Sequence, residues 1–170
     1  VLVAARELNP AGIPNRTWVS RHLIYTHGCG VIAAPASLAT EDGRPSYIDL
    51  KVTKPQIYFG DRLGEYAVVK TSQKEQACPG GNQTSFVGDG GIKFNSLVRR
   101  VALAVNFGEF NLFGSSLITK DSQILLQRDV RSRVAKIAPF LHLDADPYAV
   151  VVNGQVKWVV DAFTTTNRYP

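Results

Sequence analysis

Apolar side chains fall along this chain in short bursts separated by polar, glycine-bearing stretches. The most regular burst is PYAVVVNGQVKWVVDAF, in which two β-branched runs flank Asn153–Gly154. An Asn-Gly pair supplies the two positive φ angles of a tight turn, so the pattern predicts a hairpin with Val152 opposite Gln155. Alternation then puts Ala149, Val151, Val156, Trp158 and Val160 on a core face. Tyr148, Val150, Lys157 and Val159 take the other face. VLVAAREL and GVIAAPAS read as extended runs, and KVTKPQIYFGD and EYAVVKTS as strands separated by a loop at GDRLG. TEDGRPS is a surface turn, and KEQACPGGNQTSFVGDGG a glycine-rich loop with no period.

Three segments follow a helical period instead. RTWVSRHLIYTHG gathers Trp18, His22 and Tyr25 near one face, with Gly28 where a helix cap belongs. NSLVRRVALAVNFGEF offers Asn95 or Ser96 as N-cap and Gly108 as the stop. Its Leu97, Val101, Ala104 and Val105 form an inward stripe that Leu103 and Phe107 widen, so this helix is expected to be mostly covered. FNLFGSSLI continues as a second short helix. A longer helix is predicted from Asp121 or Ser122 to Ala138, with Leu126, Val130, Val134 and Ile137 in one stripe and Pro139 ending it. Mixed strands and helices without regular βαβ alternation give an α+β fold with a C-terminal β-hairpin. At 170 residues the expectation is one soluble domain over 1–170, or part of one.

Composition changes this picture in two ways. The net charge of +5 and a pI of 9.4 attract polyanions. Yet the cations are scattered among acids and no aromatic stacking platform is interleaved with them, which argues against nucleic acid. The chain has no methionine, so a processed or excised piece of a longer protein is expected. No apolar run reaches the ~20 residues that cross a bilayer. Cys29 and Cys78 belong to no CxxC pair; two free or partly buried thiols are the preferred reading over a bridge closing a loop of about 50 residues.

Candidate chemistry concentrates in TWVSRHLIYTHGCG. His22, His27 and Cys29 are zinc-type ligands in type, but a five-residue step turns the two imidazoles about 140° apart on a helix, and no fourth ligand lies nearby. No metal and no cofactor is therefore expected. His22, Tyr25 and His27 remain weak catalytic candidates, with Asp161 as an acid that the fold brings close. Asp144 and Asp146 in DADP lack the glycine and glutamate of a calcium loop. GDGGIKF fails as a phosphate loop because Ile92 separates Gly91 from Lys93. Thr165 and Arg168, in the terminal DAFTTTNRYP, are weak ligand-binding candidates.

Several stretches together resemble one family: ARELNP, TWVSRHLIYTHGCG, KVTKPQIYFGD, SLVRRVALAVNFGEFNLF, RDVRSRVAKIAPFLHLDADPY and VVNGQVKWVVDAFTTTNRYP. They look like the uncharacterised protein family UPF0182, bacterial proteins with several N-terminal transmembrane helices and a large extracytoplasmic region. The chain departs from that pattern at Cys29, where an aromatic residue is usual, and in lacking a longer insertion between RPSYI and DLKVTKP. The resemblance implies a segment outside the cytoplasmic membrane, tethered to a membrane region, with no catalytic residues to carry over. It implies an assembly or interaction role, with the remainder of the membrane-embedded chain, other envelope proteins or an anionic lipid surface as partners. The alternative is a hydrolase-like envelope enzyme using His22 or His27 with an acidic residue.

Overall fold

The structure is a computed structural model and describes residues 1–79 and 85–166. It is α+β, with small antiparallel sheets and short helices. Contacts divide the chain into two compact units, one of Val1–Leu8, Gly28–Gly64 and Gln127–Pro170, the other of Asn9–His27 and Glu65–Leu126.

The second unit is built on a three-stranded sheet in which Gln123–Leu125 runs antiparallel between Ala67–Val69 and Ile92–Lys93. All three residues of the central strand are buried. Ile124 joins Leu23, Val68, Phe94, Leu103, Leu112 and Ile118 in one core cluster. Here the expected long helix from Asp121 or Ser122 to Ala138 is corrected. Ser122 is buried and its hydroxyl donates to the Lys70 carbonyl at 3.1 Å, the next three residues are strand, and Gln127 takes a left-handed φ of 49° that no helix continues through. Only Val130–Ile137 is helical, capped by Asp129, whose Oδ1 accepts from the Ser132 amide at 2.6 Å. Its end before Pro139 is as expected.

The helix Leu97–Phe107 starts after Ser96 and stops at Gly108, whose φ of 61° is the left-handed C-cap conformation that glycine adopts without a Cβ penalty. Its inward face differs from the expected stripe. Leu103 is buried and Ala104 half-buried, and Arg100 is half-buried too, its Nη2 donating to the Ile118 carbonyl. Leu97, Val101 and Val105 face outward. Asn111–Gly114 forms the second short helix and buries Leu112.

In the first unit, Val31–Ala34 pairs antiparallel with Leu2–Ala5 on one side and Ile48–Leu50 on the other. Gly28–Cys29 pairs with Gln56–Ile57. Gly28 is therefore a strand residue rather than a helix cap. A Cβ there would overlap the Arg6 carbonyl oxygen, so close backbone approach is what requires glycine. The hairpin Tyr148–Val152/Gln155–Val159 has the expected register, Val152 opposite Gln155, with φ of 52° at Asn153 and 71° at Gly154. Its turn is tied down where the Gly154 carbonyl accepts from the Thr53 amide at 2.8 Å and its hydroxyl at 2.9 Å. Trp158 lies on the anticipated core face, half-buried, and donates Nε1 to the Phe59 carbonyl at 2.9 Å. Buried Arg128 donates Nε to the Tyr58 carbonyl at 2.8 Å.

Candidate interaction site

The histidine stretch is wound more widely than an α-helix. Over Ser20–Ile24 the turn is π-helical, the Tyr25 amide donating to the Ser20 carbonyl at 2.9 Å, and the helix ends at Tyr25. His22 is buried and stacks on the Tyr66 ring with centroids 4.0 Å apart. Its Nδ1 lies 2.9 Å from the Tyr66 carbonyl oxygen, which only accepts, so Nδ1 carries the proton. Burial lowers the pKa of His22 below its ordinary 6.5, outweighing the opposing bond to that carbonyl. The Tyr66 hydroxyl accepts from Trp18 Nε1 at 2.9 Å, and burial raises its pKa above the ordinary 10.0. Arg21 and Glu65 add a two-pronged ion pair, with Nη2 2.6 Å from Oε1 and Nε 3.3 Å from Oε2. The arrangement holds a neutral imidazole in a stack, with one nitrogen committed to backbone.

His27 is also buried, with Nδ1 4.0 Å from Cys78 Sγ. Both cysteines are disulfide-bonded, which corrects the expectation of free thiols. A disulfide sulfur offers no thiolate to a metal. Tyr25 is half-buried at the helix end. Sequence reasoning missed Glu75, which lies in the glycine-rich loop segment yet is buried, its Oε2 accepting from Thr26 Oγ1 at 2.5 Å and its Oε1 from the Phe86 amide at 3.2 Å. No local pattern marks such a residue, because its partners stand far off in the sequence.

In the first unit Asp161 is exposed and its carbonyl accepts from the Asp144 amide at 2.8 Å. Asp144 Oδ1 in turn accepts from the Asp146 amide at 3.2 Å, a local turn. The Thr165 hydroxyl stands 3.4 Å from Nε2 of His142, a histidine the sequence analysis did not single out. His142 stacks on Phe163, its cross-strand partner, at 5.4 Å, and both line an open cleft of about 560 Å³ together with Arg131 and Ser132. Arg168 lies outside the described residues.

Exposed apolar side chains gather on the helix Leu97–Phe107. Leu97 is 66% exposed, Val98 78%, Val101 43% and Val105 77%, and the neighbouring Phe110 is 73% exposed. At 100° per residue, Leu97, Val98, Val101, Ala102 and Val105 fall within an arc of about 140° that contains no polar side chain. Isolated exposed apolar residues are ordinary; these lie side by side on one helix face.

Comparison with known proteins identifies the kind of chain this is. The family model described as uncharacterised protein family UPF0182 matches residues 1–170. The chain belongs to that family. It is 40% identical over 183 residues to a UPF0182 protein of Clostridium botulinum (strain Langeland), covering all of this chain and 20% of the relative. A UPF0182 protein of Frankia alni is 41% identical over 186 residues, 99% of this chain and 18% of the relative, and one of Pelotomaculum thermopropionicum is 38% identical over 185 residues. This UPF0182 chain thus spans about a fifth of the length of the curated relatives it matches. No solved structure matches it. Among the described residues no helix is long and apolar enough to cross a membrane.

Proposed function

We propose that this UPF0182 chain is an extracytoplasmic segment of a larger membrane-anchored protein and serves assembly or interaction in the cell envelope rather than catalysis. The observation that carries the reading is the outward apolar arc of Leu97–Phe107, a surface with no structural reason to face water. The disulfide-bonded state of Cys29 and Cys78 supports the compartment, since structural disulfides persist in oxidising surroundings and are rare in the cytosol. Support for a larger parent comes from relatives about five times as long; the remainder of such a chain is a partner by covalent connection. His22 adds to the case against catalysis, being buried, neutral and bonded to backbone.

Two experiments test this. An epitope placed in the exposed turn around Gly43 of the longer protein is expected to be reached by antibody on intact cells; detection only after lysis overturns the location. The isolated chain, added to envelope fractions, is expected to sediment with them, and the double variant Val98→Asp with Val105→Asp to stay behind. A wild-type chain that remains in the supernatant overturns the interaction reading.

A further inference from the structure

We infer that the apolar arc of Leu97–Phe107 docks into the headgroup–acyl boundary of an anionic lipid bilayer. The inference rests on the reading of this helix as an interaction surface and names its partner. Three observations favour lipid.

Charge is the first. From Ile92 to Gly108 the chain carries Lys93, Arg99 and Arg100 and no acidic residue. Lys93 and Arg99 are exposed, and Arg99 Nη1 lies 3.1 Å from the Lys93 carbonyl and 2.8 Å from Asn95 Oδ1, which fixes its guanidinium at the start of the helix. The next acid along the chain, Glu109, is half-buried and turns its Oε1 onto the amide and side chain of Asn111, at 3.2 and 2.7 Å. Asp89 and Asp121 are exposed outside the segment, Asp121 beside Lys120. Cations flanking an apolar face are the composition with which a helix lies in a bilayer interface.

Length is the second. Eleven residues rising about 1.5 Å each make a helix near 16 Å, half the ~30 Å hydrocarbon core, so it lies along a membrane and does not cross it. Area is the third. Five apolar residues on one short helix fall well below the ~20 residues a side of a stable protein–protein interface. A bilayer has no such threshold, because it takes each apolar side chain separately.

The test uses the 170-residue chain with vesicles of phosphatidylcholine alone and with one-third phosphatidylglycerol. Sedimentation with the anionic vesicles is expected, weakening several-fold as salt is raised. Val98→Asp with Val105→Asp is expected to lower binding by about tenfold or more, and Lys93→Gln with Arg99→Gln by several-fold with a shallower salt dependence. The far-ultraviolet circular dichroism of each variant should match the wild type, since all four side chains are exposed. With both native cysteines in disulfide, Val105→Cys gives a single labelling site; a polarity-sensitive dye there is expected to shift to the blue on anionic vesicles. No binding to anionic vesicles, or binding that the aspartate pair does not weaken, overturns the lipid partner. If envelope fractions still capture the chain in that case, the interaction reading stands and the partner is protein. If neither captures it, both fall.

Discussion

The strand Gln123–Leu125 and the helix Leu97–Phe107 belong to the same unit, and each holds residues whose burial is the reverse of what their side chains suggest. Gln123, a polar residue, is sealed in the middle of a sheet, with the Cβ that Gly91 lacks leaving room for its stem. Val98 and Val105, apolar and β-branched, face outward. Apolar character sets the free energy available on burial, about 25 cal/mol per Å², but the supply of neighbours decides whether that burial happens within the fold. The strand has neighbours on both edges. The outer face of the helix finds too few to leave water: Leu97, Val98 and Val105 stay more than half exposed.

The contrast is open to measurement, and the largest effect is on the strand. Ile124→Ala should cost about 2–5 kcal/mol of unfolding free energy in urea titration, because it empties space in a closed core. A loss as small as that of a surface change would mean that the strand is not the sheet's centre. Next comes the edge of the helix itself: Gly108→Ala places a Cβ at a left-handed φ and should cost about 1 kcal/mol, read as a lower thermal midpoint.

A pH effect then probes the packed ring beneath. The folded pKa of His22 is depressed by burial, so between that value and 6.5 the unfolded chain binds more protons than the folded one. The contribution of His22 to stability is thus present above pH 6.5 and lost as pH falls through the window below it. His22→Asn should flatten that part of the stability profile; an unchanged slope would mean that the ring is not desolvated. At the alkaline end, the raised pKa of Tyr66 means stability lost as pH rises beyond 10.0. The smallest effect is the most telling for function. Val105→Ala should change stability by no more than about 0.5 kcal/mol, as exposed positions do. A core-sized loss there would show the outward face to be covered after all.

Legibility followed the range of the interactions. The Asn153–Gly154 turn and its register could be read because the turn residues dictate their own φ angles. Gly108 ended its helix for the same reason. The cleft residue His142 gave no signal, since its partners Phe163 and Thr165 stand about twenty residues away in a turn-rich stretch. Buried Glu75 looked like loop, and Gly28 like a helix cap, because what fixes each is backbone or side chain remote in sequence.

By itself the sequence determined the family, the α+β class, the hairpin and the helix stop, all of which rest on segment order or on backbone preferences that act within a few residues. Tertiary structure alone decided that Gln123–Leu125 is a strand, that His22 is a stacked neutral ring, and that Leu97, Val98, Val101 and Val105 look outward. The reason is physical: periodicity marks which side chains gain by leaving water, and only the packed arrangement of distant segments sets where water is excluded.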